Sequence, residues 1–302
     1  MQDNFIKLRD GRKLGFAEYG PPDGIPLLLF HGTPGSRLIM ALETASWVKE
    51  NGIRLILPER PGYGLSDPAP KHTIMDWAKD VEDLVDQIGI ARYHVSGGSG
   101  GGPYALACAI HSPERVRSVS LFSSGGPPEA MTLSKEMNRG NRAAFFLARY
   151  APFVLRALCA INAKSINKPS RKRGPKQQEK LARRKAKQLA KLPEWDRQAL
   201  EGQRGESVRT QLREAFRQGG EGAYRDLLLV SRPWNLDLEK LKVPVFLWHG
   251  TADTHVPLST AHALSRLIPG CEAHFIPDAG HMLLANRAIA SQMMARILSV
   301  ET

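Results

Sequence analysis

Short apolar runs recur along the first half of the chain, each too short for a helix and each closed by glycine, proline or a polar cluster. Ile6 and Leu8 alternate with polar residues, Asp10-Gly11 marks a tight turn, and Leu14 and Phe16 resume the alternation, so the chain opens as a β-hairpin. Leu27 to Phe30, Leu55 to Leu57, Tyr93 to Val95 and Val116 to Phe122 then read as buried strands. Helical stretches separate them: one running through Trp47, one near Trp77 to Ile88 and one from Tyr104 to His111. Such alternation predicts an α/β fold with a mostly parallel sheet and helices on both faces. From Gly125 to about Lys242 the strand rhythm stops and helix formers and arginine dominate, punctuated by Pro152, Pro193 and Pro233. Strands return at Val243 to Trp248 and Ala273 to Ile276. The expected organisation is a core built from residues 1–125 and 241–302, with a helical cap at 126–240.

Candidate chemistry gathers at the ends of these strands. Ser99 lies at the centre of Gly97-Gly98-Ser99-Gly100-Gly101, directly after Tyr93 to Val95 and before a helix. A serine on such a turn is lifted clear of the sheet, and the helix N-terminus behind it favours negative charge on a substrate oxygen. A Cβ at Gly97 or Gly101 would meet the neighbouring strand or helix as the chain reverses. Leu27 to Phe30 empties into His31-Gly32-Thr33-Pro34-Gly35, Val243 to Trp248 into His249-Gly250-Thr251-Ala252-Asp253, and Ala273 to Ile276 leads to Asp278-Ala279-Gly280-His281. Ligands of open α/β sheets bind at this edge.

Taken together, these segments resemble the α/β-hydrolase superfamily, whose triad runs serine, acid, histidine along the chain. The resemblance covers nearly everything outside the middle insert. It implies Ser99 as nucleophile, His281 as base, Asp253 as the orienting acid, and the backbone N–H groups of Thr33 and Gly100 as the oxyanion hole. His31 and His249 are expected to brace turns, and Asp278 to belong to the turn that presents His281. No carboxylate follows Val116 to Phe122, which removes the other strand end from which relatives draw the acid. Phe145, Phe146, Trp195, Trp234 and Met282 are candidate pocket residues beneath the cap.

The resemblance implies a serine hydrolase acting on a carboxylic ester, or an amide, through an acyl-enzyme. His31 to Gly35 also looks like the corresponding turn of proline iminopeptidases, which carry glycine where Thr33 stands. An aminopeptidase must hold a free amine with carboxylates, and the cap is short of acids. A cofactor-free perhydrolase or haloperoxidase would use the same triad, and a non-catalytic ligand-binding member would need none of it. Haloalkane dehalogenases and epoxide hydrolases require a carboxylate where Ser99 stands.

Charge adds one asymmetry. The 302 residues carry a net +12, yet positions 131–232 hold 24 Lys+Arg against 9 Asp+Glu, so the remainder is −3. A cap of this sign would steer an anionic substrate. It could also attract nucleic acid or an anionic membrane surface. Interleaved aromatics are too sparse for nucleic-acid binding, and the Leu181 to Ala190 stripe is too small for stable membrane insertion, so a solvated helical face is expected. Three scattered cysteines, no signal-like N-terminus, no metal-ligand spacing and no phosphate loop point to a soluble cytoplasmic protein without cofactor or metal.

Overall fold

The computed structural model describes residues 4–39, 48–128, 135–168 and 174–300. The expected helix through Trp47 lies largely outside these residues. Eight strands form one sheet: β1 (Asn4–Lys7), β2 (Lys13–Tyr19), β3 (Ile25–Phe30), β4 (Ile53–Pro58), β5 (Tyr93–Gly98), β6 (Val116–Phe122), β7 (Val245–Gly250) and β8 (Glu272–Ile276). Their spatial order is β1-β2-β4-β3-β5-β6-β7-β8. The opening hairpin pairs antiparallel, Lys7 opposite Lys13, and β2 meets β4 antiparallel; every other neighbouring pair is parallel.

Alternation along the strands divides the core in two. Leu28, Phe30 and Ile56 face helices α1 (Ile74–Gln87) and α2 (Gly102–His111), where Trp77, Val81 and Leu106 complete the layer. Leu27, Leu29, Leu55 and Leu57 face the opposite side, where Met293 and Ile297 of α10 (Arg287–Leu298) pack. Because both faces are covered, β3 and β4 are apolar at nearly every position. Thr73 starts α1 with a reciprocal cap: its hydroxyl accepts from Asp76 N–H while the Asp76 carboxylate accepts from Thr73 N–H.

Between β6 and β7 the described residues hold six helices: α3 (Arg139–Tyr150), α4 (Pro152–Ile166), α5 (Pro175–Leu189), α6 (Glu194–Ala199), α7 (Gly202–Ala215) and α8 (Glu221–Val230). Pro152 opens α4, Pro193 precedes α6 and Pro233 follows α8, where its missing N–H costs no helical hydrogen bond. The insert has a small core of its own: Leu155, Cys159 and Ala163 of α4 meet Phe216 and Leu228. Helix α9 (Leu258–Leu267) returns to the sheet after β7.

Sheet order sets the functional edge. The chain moves outward from β3 to β4, then crosses back to lay β5 beside β3, which makes the β3/β5 boundary the point where strand order reverses. Phe30 pairs with Gly97, so the two strands end level and their following turns, His31 to Gly35 and Ser99 to Gly101, lie side by side.

Candidate active site

Ser99 adopts φ +52, a backbone conformation that side chains with a Cβ rarely take up. The turn holds it there by close approach on all sides. A Cβ at Gly97 would sit 2.5 Å from the carbonyl oxygen of Gly101, and one at Gly101 would strike the carbonyl of Phe30. A Cβ at Gly100 would run into the Thr33 side chain and lie 3.3 Å from Thr33 N. That last distance sets the Thr33 amide beside the nucleophile turn.

Orientation of the Gly32–Thr33 peptide follows from its partners. The Gly32 carbonyl accepts from Arg60 Nη2 at 3.0 Å and lies 2.8 Å from His31 Nδ1, which must donate to it. His31 Nε2 in turn accepts from Arg60 N–H at 3.3 Å. In a trans peptide the N–H points opposite to the carbonyl, so the Thr33 N–H is turned away from Arg60. It has no hydrogen-bond partner among the described residues. His31 is fully buried; that burial, with Arg60 nearby, pushes its pKa down to about 3, so the ring stays a neutral brace.

Arg60 is itself held by the insert. Asp226 on α8, only 3% exposed, accepts from Arg60 Nη2 at 2.6 Å, Thr33 Oγ1 at 2.6 Å, Tyr63 at 3.0 Å and Tyr104 at 2.5 Å. Burial alone would raise the Asp226 carboxyl, but Arg60 and the hydroxyl donors hold it below its ordinary value, an ionised anchor under the turn after β3. A second buried tie runs from Arg37 to Glu59, at 2.9 Å, and to Glu214 of α7, at 2.6 Å.

Across the edge, His281 Nδ1 lies 2.8 Å from Asp253 Oδ2. Asp253 is 5% exposed, and its other oxygen accepts the backbone N–H groups of His255 at 2.7 Å and Val256 at 3.0 Å. Burial pushes the Asp253 carboxyl up, while His281, His249 and the backbone donors outweigh it and leave the pKa lowered. For His281, burial opposes the imidazolium, yet Asp253 and then Asp196 raise its pKa above the ordinary histidine value. Asp278 instead occupies an exposed turn with φ +57, its N–H donating to Thr251 Oγ1. His249 Nε2 donates to the Val256 carbonyl at 3.0 Å, a bracing contact within the loop that carries Asp253.

The loop after β6 joins the two halves. Ser123 Oγ donates to the His281 carbonyl at 2.8 Å, and Gly125 N–H donates to the Ser99 carbonyl at 3.2 Å. Two residues of chain therefore bridge the nucleophile turn and the histidine loop. No side-chain hydrogen bond joins Ser99 to His281 among the described residues; such contacts tighten in the Michaelis complex. Asp253, His255 and His281 offer ligand atoms within 4.8 Å of one another, a spacing a metal could use. Asp253 Oδ2 and His281 Nδ1 already satisfy each other, which accounts for the cluster without an ion.

Ser99, Thr33 and Gly100 open into a cavity of about 50 Å³ whose walls include Phe145, Trp234, Leu227 and His255. Two of the five sequence-derived pocket candidates, Phe145 and Trp234, thus border it. Phe146 does not: the helical step from Phe145 turns it outward, where it is 52% exposed and meets the Tyr150 ring at 4.9 Å. Trp195 and Met282 bind each other instead, Trp195 Nε1 donating to the Met282 carbonyl at 3.3 Å, and are absent from the cavity wall. Asp196, beside them, accepts from Met282 N–H at 2.9 Å. Three residues were not anticipated: His255, stacked on His281 with ring centroids 4.7 Å apart, and the buried insert acids Asp196 and Asp226. Only the short spacing from Asp253 to His255 gave a sequence signal; the acids were masked by the basic residues around them.

A doubly covered, mostly parallel sheet with a serine turn, an acid loop and a histidine loop at one edge defines the class of an α/β hydrolase. Residues 25–288 match the alpha/beta hydrolase fold family, and the chain belongs to it. A proline iminopeptidase of Neisseria gonorrhoeae is 30% identical over 120 residues, which cover 39% of this chain and 38% of that protein. An uncharacterized hydrolase, YcgS, of Bacillus subtilis is 25% identical across 93% of this chain and 92% of its own. Among solved structures, a thermophilic esterase from Thermogutta terrifontis superposes with a TM-score of 0.65 at 22% identity, covering both chains fully. The esterase RhEst1 from Rhodococcus sp. ECU1013 gives 0.64 at 19%, covering 100% of this chain and 99% of that one. The chain is therefore a hydrolase-fold enzyme with esterases among its structural neighbours.

Proposed function

We propose that the protein hydrolyses carboxylic esters of small to medium size through an acyl-enzyme, with Ser99 as nucleophile, His281 as base and Asp253 as the acid that orients it. The observation that carries this reading is the 2.8 Å contact between buried Asp253 and His281, set at the same sheet edge as a serine strained to φ +52. As Ser99 Oγ attacks the acyl carbon, its proton passes to His281 Nε2, and Asp253 stabilises the imidazolium that forms. The acyl oxygen gains charge opposite the Thr33 and Gly100 N–H groups, which are preorganised for it. His281 then returns the proton to the leaving alkoxide, and water repeats the sequence to release the acid.

The small cavity fits a short acyl chain against Phe145 and Trp234, with the insert acting as a cap over it. Among the described residues no carboxylate lines the cavity, which favours an ester over a substrate with a free amine. Replacing Ser99 with alanine removes the only proposed nucleophile while leaving the fold intact. The Ser99→Ala protein should lose fluorophosphonate labelling and p-nitrophenyl ester turnover together; labelling that persists would take Ser99 out of the mechanism.

A further inference from the structure

Six of the eight large apolar side chains left exposed among the described residues fall between Phe146 and Ile161. Phe153 is 75% exposed, Tyr150 62% and Ile161 60%. They are not unfinished core, because α4 already buries Leu155, Cys159 and Ala163 on its inner stripe. At 100° per residue, Phe153, Val154, Leu158 and Ile161 share the opposite side of that helix. Phe146 and Tyr150 bring α3 to the same exposed stretch of chain. The surrounding sequence is strongly cationic: residues 139–191 contain 16 Lys+Arg and a single acid, Glu179.

We propose that this face of α3 and α4 docks on an anionic lipid surface. Bulky apolar residues bordered by cations suit the headgroup boundary, where side chains reach acyl groups while lysine and arginine meet lipid phosphates. A second copy would set the same positive charge against itself. A nucleic-acid backbone would leave Val154, Leu158 and Ile161 without apolar contact. The docking is peripheral, since no helix among the described residues is long and apolar enough to cross a bilayer. Phe145 borders the active-site cavity from α3, the helix whose Phe146 faces outward, so docking brings the wall of that cavity to the lipid.

Docking does not depend on Ser99 chemistry, so flotation is run with the full-length Ser99→Ala protein. Vesicles of phosphatidylcholine alone are compared with phosphatidylcholine mixed with phosphatidylglycerol. The protein should float only with the anionic vesicles, and Phe153→Ser with Ile161→Ser should cut partitioning by about tenfold or more. With Ser99 present, the same double substitution should leave hydrolysis of a soluble p-nitrophenyl ester unchanged, and Leu158→Ser should reproduce the loss of flotation. Absence of flotation with anionic vesicles would overturn the proposal. So would undiminished flotation of the double variant, which would reduce binding to charge alone, or a dimer in light scattering that the double variant dissolves.

Discussion

Asp226→Asn offers the sharpest test of how the insert governs the site. The substitution keeps size and removes one charge from a carboxylate that is 3% exposed and accepts from Arg60, Thr33, Tyr63 and Tyr104. Arg60, 2% exposed, is left without its counter-ion. Removing one partner of a buried pair costs about 3–5 kcal/mol. At roughly 2–4 °C per kcal/mol for a large domain, the melting temperature should fall by roughly 6–20 °C. Catalysis should suffer separately, because Arg60 also donates to the carbonyls of His31 and Gly32 and so fixes the peptide that carries the Thr33 N–H. Loss of one oxyanion donor costs about 10²–10³ in turnover, so kcat should drop toward that range with KM nearly unchanged. Combining Arg60→Met with Asp226→Leu removes both charges and should destabilise less than either change alone. Circular-dichroism melting and steady-state kinetics on a short ester read the two effects. A melting shift under about 2 °C, or a loss confined to KM, would refute the assignment of Asp226 and Arg60 as positioning residues.

Three further outcomes follow from the same geometry. His281 must be neutral to accept a proton, and Asp253 and Asp196 raise its pKa, so kcat/KM should fall with decreasing pH through a limb above the ordinary histidine value of 6.5. Asp196→Asn removes one of those charges and should move the limb to lower pH; an unmoved limb would show that Asp196 does not act on His281. Phe145→Ala or Trp234→Ala enlarges a cavity of about 50 Å³ and should shift preference among p-nitrophenyl esters toward longer acyl chains, an effect that acetate-to-octanoate kinetics would reveal or deny. Arg183→Ala, which breaks an exposed pair with Glu179, should change the melting temperature by no more than about 4 °C, since such pairs contribute about 0–1 kcal/mol.

The scaffold was legible because strands buried on both faces advertise themselves. Leu27 to Phe30 and Val116 to Phe122 are apolar enough to read from one chain, and strand ends place chemistry at one edge by topology alone. Strand lengths were less legible: β5 extends through Ser96 to Gly98, residues whose composition signals a turn but whose carbonyls and amides pair with β3 and β6. Phe145 and Phe146 show the limit for the pocket. Neighbours in sequence of one chemical type, they differ by 100° around α3, and only the packing of that helix decides which meets the cavity.

The buried acids of the insert were illegible for a different reason. Net charge sums over a segment, whereas the fold sorts it by direction: Asp196 and Asp226 are buried, although residues 131–232 as a whole carry 24 Lys+Arg against 9 Asp+Glu. The insert's strong positive sign therefore says nothing about its inner surface, which contributes negative charge to the bases of two turns of the proposed site. Asp226 reaches the Thr33 turn through Arg60, and Asp196 reaches the His281 loop through Met282 N–H. A shift of α8 would reach the proposed oxyanion donor, and a shift of α6 the proposed base. On the proposed mechanism an insert tied in this way helps to hold the site, and its outer face, exposed and apolar along α4, is the side turned to the surroundings.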